Sequence, residues 1–156
     1  MSPAGAWARA LAVLAGVVAL DQGTKAIVRG SIGRAERIDL VAGFGLVNTR
    51  NSGVAFGFFA GGGILVGVLA GLALVALLAF FSTHAERPLV WLPTGLLLGG
   101  AAGNLIDRAV EGSVTDFLDP PLWPAFNVAD AAITIGVLTL LYVLEGPPSR
   151  GPARRA

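Results

Sequence analysis

A run of 21 uncharged residues, Gly61 to Phe81, limits the folds open to this chain more than any other feature. At about 1.5 Å per residue, a helix of that length crosses the roughly 30 Å hydrocarbon core of a bilayer. The composition agrees, with 54% hydrophobic residues, 13% charged residues and a mean hydropathy of +0.74. These values are typical of a membrane protein rather than of a soluble domain.

Three further apolar segments predict three more spanning helices: Trp7 to Val28, Leu89 to Ile106 and Asn127 to Leu144. The first could pass for a signal peptide, but no convincing small-residue cleavage site precedes its charges, so we interpret it as an uncleaved helix. The segment from Leu89 carries glycines at a spacing that lets membrane helices approach closely. These glycines are Gly95, Gly99, Gly100 and Gly103. We expect a single domain, residues 1–156.

The first loop, Ser31 to Ala60, has structure of its own. Glu36 to Val41 and Phe44 to Thr49 alternate in part between apolar and polar residues, with Ala42-Gly43 between them. This pattern predicts a short hairpin, which we expect on the membrane surface. The expected fold class is therefore a mainly α membrane protein with four transmembrane helices and a small extracytoplasmic β-sheet or hairpin in the first loop.

Acidic residues concentrate in one stretch. Five of the ten lie between Gly100 and Asp130, namely Asp107, Glu111, Asp116, Asp119 and Asp130. A carboxylate beside a membrane core is costly unless it is solvated, paired or used, so this cluster is a functional-site hypothesis.

Four spans bring the polar residues at the helix ends to the same face of the membrane. These residues are Asp21, Lys25, Asn51, Asn104, Asp107, Arg108, Asp116 and Asp130. We expect this face to be the outer one, with both termini in the cytoplasm. The positive-inside rule does not decide, because five cations then lie inside and six outside. Commitment of several outer cations to the site or to lipid headgroups would explain that excess.

Two residue pairs allow a structural interpretation beside a functional one. Asp21 and Lys25 stand four apart on one helical face, which fits either an ion pair at the membrane boundary or a direct role in a site. Asn127 and Asp130, three apart, fit a helix N-cap with an acidic third residue as well as a catalytic role.

The side chains present restrict the chemistry. The chain has no cysteine, and its only histidine, His84, lies in the loop on the opposite face, so neither a thiol or Ser/His nucleophile nor zinc-assisted hydrolysis is supported. We expect no metal and no cofactor, and the scattered cations, with a net charge of +1, do not favour nucleic-acid binding. Two aspartates that share one proton can activate water and polarise a carbonyl. The loop from Phe117 to Ala129 is long enough to bring Asp116 and Asp130 together.

Asp107 is a possible rival to Asp116 in such a pair. It adjoins Arg108 and follows Asn104 by three residues, which predicts an ionised, structurally tied carboxylate, and Asn104 and Arg108 can themselves tie their helix to a neighbour. Asp116 has no adjacent cation, so desolvation and a nearby Asp130 would favour a shared proton.

Five motifs in order resemble those of the bacterial lipoprotein signal peptidases, also called signal peptidase II. They are DQGTK at 21–25, NSGVAFG at 51–57, GAAGNLIDR at 100–108, VTDF at 114–117 and FNVAD at 126–130. Together they cover nearly the whole chain. The resemblance implies an aspartic endopeptidase that cleaves diacylglyceryl-modified prolipoproteins on the amino side of the lipidated lipobox cysteine.

The resemblance also implies the roles of individual residues. Asp116 and Asp130 correspond to the catalytic pair. The residues expected to support the site or bind substrate are Asp21, Lys25, Asn51, Gly53, Asn104, Asp107, Arg108 and Asn127. The implied partners are lipid-modified prolipoproteins and membrane lipid, and the implied location is the bacterial inner membrane, with the site at the periplasmic face and the protein acting as a monomer.

Two other classes of function compete with this one. A small proton- or ion-coupled transporter would use membrane-edge carboxylates as relays, but discontinuous helices or a mid-span carboxylate would then be expected. A structural assembly factor would leave the two carboxylates without a task. The position of the acids at one end of the spans favours the peptidase.

The predicted topology can be tested with reporter fusions. Fusions at Ala156 and within Ser82 to Pro88 should both report a cytoplasmic location, because an even number of spans returns the chain to the side on which it began. A periplasmic signal from either fusion would contradict the four-span arrangement.

Overall fold

The structure is a computed structural model that describes residues 2–52 and 63–145, with side chains for all of these except 63–70. Within these residues, four long helices and three short strands follow one another. They are α1 (Pro3–Ser31), β1 (Arg37–Asp39), β2 (Gly45–Asn51), α2 (Gly63–His84), α3 (Trp91–Glu111), β3 (Val114–Asp119) and α4 (Val128–Glu145). The four predicted helices and the predicted hairpin are confirmed, although the helix ends differ.

The helices have the composition of membrane spans. Among the described residues, α1 and α4 are long and apolar enough to cross a bilayer by length and composition alone, and Gly71–His84 of α2 is a shorter apolar stretch. Large apolar side chains such as Leu11, Leu72 and Leu138 are exposed on their outer surfaces. Exposed leucines at this density suit hydrocarbon rather than water.

The glycines of α3 place this helix between α1 and α4. A Cβ added at Gly95 would lie 2.6 Å from the Ala10 carbonyl oxygen of α1, and one added at Gly100 would lie 2.5 Å from the Ala129 carbonyl oxygen of α4. Only glycine permits backbones to approach this closely. The predicted packing role of these glycines is therefore confirmed, and it brings the ends of three helices together at one point.

Helix α3 is longer than predicted. It continues five residues beyond Ile106 and ends where Gly112 adopts a left-handed conformation with φ of 72°. Asp107 and Arg108 therefore lie on the helix itself. Asp107 is buried against α1, whereas Arg108, one residue further round the helix, is exposed.

The hairpin belongs to a larger sheet than the sequence predicted. Strands β1, β2 and β3 form an antiparallel sheet in that order, and the β1–β2 turn contains Ala42 and Gly43, both with positive φ, as a tight hairpin requires. The third strand lies in the connection between α3 and α4, where the sequence predicted only a loop. Because β3 pairs with β2, Asp116 lies opposite Thr49.

The sheet rests on the helix ends through a small apolar cluster. Phe117 of β3 packs with Val28 and Ile32, at the end of α1. Four successive residues of β3, Val114 to Phe117, are buried, so this strand is covered on both faces. The cluster holds Asp116 directly beside the ends of α1, α3 and α4.

Candidate active site

The two aspartates expected to form a pair come from different elements that meet at the site. Asp116 lies in the middle of β3 and is 2% exposed, and Asp130 lies in the first turn of α4 and is half-buried. Asn127, which is fully buried and directly precedes α4, contacts both. The aspartates therefore differ in access to solvent although they share a neighbour.

Asn127 forms the helix N-cap that the sequence allowed, and it also contacts the aspartate pair. Its side-chain oxygen accepts a hydrogen bond from the Asp130 backbone N–H at 3.0 Å, and its own N–H donates to the Asp130 carboxylate at 3.2 Å. This reciprocal arrangement is a capping box. The Asn127 amide nitrogen also donates to Asp116 Oδ1 at 2.7 Å. A helix cap thus links the two carboxylates.

Two more asparagines supply neutral donors to the same carboxylates. Asn51, the last residue of β2, donates to Asp116 Oδ2 at 2.9 Å. Asn104 of α3 donates to Asp130 Oδ1 at 2.8 Å. Amide donors fix the orientation of a carboxylate without neutralising it by ion pairing, so both aspartates keep the ability to take part in proton transfer.

The surroundings of Asp116 favour its protonated form. Burial raises the pKa of the Asp116 carboxyl above its ordinary value of 3.8, the hydrogen bond from Asn51 opposes the rise, and the nearby Asp130 carboxylate adds to it. Asp116 is therefore the member of the pair suited to hold a proton.

A cluster of buried charges lies next to this pair. Lys25 Nζ is 2.8 Å from Asp21 Oδ2 and 3.2 Å from Asp107 Oδ2, and all three side chains are at most 1% exposed. The predicted ion pair between Asp21 and Lys25 is confirmed, but it lies inside the protein. It also includes a third residue, Asp107 of α3. It is not an exposed pair at the membrane boundary.

Asp107 is not held by Arg108, the cation that the sequence suggested. Its partners are Lys25 and, at 3.5 Å, Arg29, rather than the adjacent Arg108. Arg108 instead points outward and donates to the carbonyl oxygen of Asn104 at 3.3 Å. Asp107 is therefore structurally tied, as expected, but by cations of α1.

Sequence reasoning missed several residues of the site. Gln22 donates to Asp21, Asp107 and the Gly103 carbonyl, and Thr115 binds Asp107 through its backbone N–H at 2.9 Å. Arg50 contacts Thr115 and Glu111. Gln22 and Thr115 adjoin motif aspartates, which was the available signal. Nothing in the local sequence indicated their partners.

Two other predicted residues lie elsewhere. Gly53 is outside the described residues. His84 stacks on Phe80 at the far end of α2, as expected for a residue of the opposite face. In the part of the chain that the structure describes, no three His, Cys, Asp or Glu side chains are grouped so as to hold a metal ion.

Apolar helices that carry a paired-aspartate site at one end define a membrane enzyme of helical fold. The chain belongs to the signal peptidase II family, whose profile matches residues 13–145. It is similar to the lipoprotein signal peptidase of Moorella thermoacetica, with 42% identity over 84% of this chain and 89% of that protein. It is also similar to that of Azoarcus sp., with 39% identity over 92% and 89%.

Solved structures agree with this assignment. One bacterial membrane enzyme superimposes with a TM-score of 0.77 and 31% identity over 86% of this chain and 91% of that chain. A second gives a TM-score of 0.78 and 28% identity over 94% of both chains. The likeness therefore includes the helices and the small sheet together.

The pH dependence of stability tests the environment of Asp116. A raised pKa means that the folded protein binds this proton more tightly than the unfolded chain does. The resulting stability is present at low pH and is lost as the pH rises from 3.8 through the raised value. Asp116→Asn cannot ionise, so its thermal midpoint should improve relative to the parent as the pH increases from about 4 to about 7.

Glu86→Gln, which removes an exposed carboxylate at the other end of the molecule, is the control for this measurement. Its midpoint relative to the parent should change little over the same range. If the thermal midpoint of Asp116→Asn instead fell relative to that of the parent as the pH rises, the folded protein would favour the ionised form of Asp116.

Proposed function

We propose that this protein is an aspartic endopeptidase that releases the signal peptides of diacylglyceryl-modified prolipoproteins. It cleaves the peptide bond on the amino side of the lipidated cysteine. The observation that carries the proposal is the pair Asp116 and Asp130, bridged by Asn127 at the end of three apolar helices. Membership of a peptidase family favours this function over the transporter and the assembly factor.

The two carboxyls divide the proton transfers between them. Asp130, ionised and half-exposed, takes a proton from the attacking water. Asp116, protonated, donates to the carbonyl oxygen of the scissile bond, so that a neutral tetrahedral intermediate forms instead of an oxyanion. The proton on Asp130 then passes to the leaving nitrogen as the C–N bond breaks, and Asp116 recovers its own proton from the collapsing intermediate.

The neutral amides and the rim residues orient the reacting groups. Asn51, Asn104 and Asn127 hold the carboxylates through the hydrogen bonds described above. By similarity to the family, Arg108 helps to hold the substrate backbone or its lipid-bearing segment. The exposed position of Arg108 beside Asn104 suits such a contact.

A cavity next to the site suits an acyl chain. It has a volume of about 380 Å³ and lies between α1, α3 and α4. Its lining consists of apolar side chains and one glycine, Gly16. Leu20 and Val128 line it, and they stand next to Asp21 and two residues before Asp130, respectively. A diacylglyceryl chain entering here would bring its cysteine to the aspartate pair.

We place the protein in the bacterial inner membrane with the site at the periplasmic face and both termini in the cytoplasm. Four of the six outer cations, Lys25, Arg29, Arg37 and Arg50, pair with carboxylates of the same face. Their commitment to these pairs accounts for the excess of positive charge outside. We expect the protein to act as a monomer.

Substitution of three aspartates by asparagine tests the catalytic pair. Asp116→Asn and Asp130→Asn keep shape but remove the acid or the base, so each should fold and lose at least about 10²- to 10⁴-fold in turnover of lipidated precursor. Asp107→Asn removes a carboxylate from a buried ionic cluster, so it should lower stability and retain measurable turnover. The measurement is cleavage by purified protein in detergent, normalised to folded enzyme.

The same set of variants identifies the alternative pair. Full activity of Asp116→Asn together with an inactive but well-folded Asp107→Asn would assign catalysis to Asp107 and Asp130. Activity in all three variants would remove the aspartic mechanism.

Dependence on lipid tests the substrate. Burial of only four methylenes contributes about 3 kcal/mol, or about 200-fold, so kcat/KM for unlipidated precursor should be lower by at least that factor. Gly16→Leu narrows the cavity, and the added Cβ meets no atom within 4 Å, so the fold can accept it. This variant should raise KM for lipidated precursor and leave KM for unlipidated precursor unchanged. Gly23→Leu, equally open but outside the cavity lining, is the matched control. Equal cleavage of both precursors would contradict recognition of lipid.

A further inference from the structure

We propose that Lys25 is a positioning residue that sets the separation of Asp116 and Asp130. It joins two buried carboxylates, and each carboxylate holds the backbone immediately before one of these two paired aspartates. The proposal rests on the proposed function. It assigns a task to the buried cluster of Asp21, Lys25 and Asp107, which the chemistry itself does not use.

The first connection leads from Asp107 to β3. Asp107 Oδ2 accepts a hydrogen bond from the Thr115 backbone N–H at 2.9 Å. Thr115 is fully buried and directly precedes Asp116. The position of the Asp107 carboxylate on α3 therefore determines where the Asp116 backbone lies.

The second connection leads from Asp21 to α4. Asp21 Oδ1 accepts a hydrogen bond from the Ala129 backbone N–H at 3.0 Å. Ala129 is fully buried and directly precedes Asp130. The two halves of the pair are thus held in the same manner, each by a carboxylate that binds the N–H one residue earlier.

The Lys25 ammonium joins the two connections. It lies 2.8 Å from Asp21 Oδ2 and 3.2 Å from Asp107 Oδ2, and its third contact, at 3.1 Å, is with Asn104 Oδ1. An ammonium has three donors, so all three have an acceptor here. The contact with Asn104 matters as well, because that amide donates to Asp130 Oδ1. Lys25 therefore acts on the Asp130 side chain and on both backbones.

Two carboxylates this close would repel one another without the cation between them. Gln22 and Arg29 also face the cluster, but Gln22 is neutral and Arg29 reaches only Asp107, at 3.5 Å and partly exposed. Neither can replace an ammonium that contacts both carboxylates. Loss of Lys25 is expected to move Asp21 and Asp107 apart, together with the two backbone segments that they hold.

The test compares Lys25→Met with the parent in cleavage of lipidated precursor, as a function of pH and per folded molecule. A wider pair transfers protons less well, so kcat should fall by about 10- to 100-fold. KM should stay within about two-fold, since the cluster is buried and does not contact substrate. Loss of the cation raises the pKa of Asp116 and a greater distance from Asp130 lowers it, so kcat is compared at the pH of maximal activity of each protein.

Lys25→Met leaves two buried carboxylates without their cation, so a second variant avoids that penalty. Asp21→Asn/Lys25→Met/Asp107→Asn carries no buried charge, and its side-chain carbonyls can still accept the two backbone N–H groups. It lacks the joining cation together with the charges of both carboxylates, and it should show the same loss of kcat per folded molecule with an unchanged KM.

Gly95→Ala is the control for a merely structural effect. Its added Cβ would meet the Ala10 carbonyl at 2.6 Å, which weakens the packing of α1 on α3 far from the cluster. It should lower the thermal midpoint and leave kcat per folded molecule close to that of the parent. A kcat per folded molecule in both Lys25 variants equal to that of Gly95→Ala would overturn the role of Lys25. An inactive parent would instead overturn the proposed function.

Discussion

Buried charge requires a partner for every donor and acceptor, and the outer end of this bundle is organised around that requirement. Removing an ion from water costs several kcal/mol even after relaxation, so a lysine ammonium at zero exposure persists only where its protons all find acceptors. Lys25 finds two carboxylates and an amide oxygen. The carboxylates use their remaining oxygens to bind backbone N–H groups of β3 and α4. The contacts that compensate the Lys25 charge thus fix the arrangement of α1, α3, α4 and β3.

That arrangement also depends on close helix packing. Gly103 lies where an added Cβ would stand 2.6 Å from Asp21 Oδ2, so a larger residue on α3 would displace the carboxylate from Lys25. Gly95 and Gly100 bring α1 and α4 near α3 along the rest of its length. In a bilayer, where apolar burial contributes little to helix association, such contacts and the polar cluster supply the specificity.

The paired aspartates contact different groups from those that the aspartates of the buried cluster contact. Asp21 and Asp107 contact cations, whereas Asp116 and Asp130 accept hydrogen bonds only from neutral groups among the contacts described. Ion pairing keeps a carboxylate charged, and neutral donors leave it able to exchange a proton. Four aspartates within one small site can therefore be divided into two that support structure and two that are suited to chemistry, as the motif VTDF without an adjacent cation had indicated for Asp116.

The sequence by itself determined the apolar helices, the hairpin and the residue types of the site, because hydrophobic run length, the Ala42-Gly43 turn and the glycine spacing are local properties. Only the tertiary structure decided that Val114–Asp119 is a strand, since its partner β2 lies more than sixty residues away and its own six residues carry two acids. It likewise decided that Asp107 pairs with Lys25 rather than with Arg108. Adjacent residues of a helix point about 100° apart, so a neighbour in sequence is seldom the partner, and contact across helices is set by packing that no local pattern records.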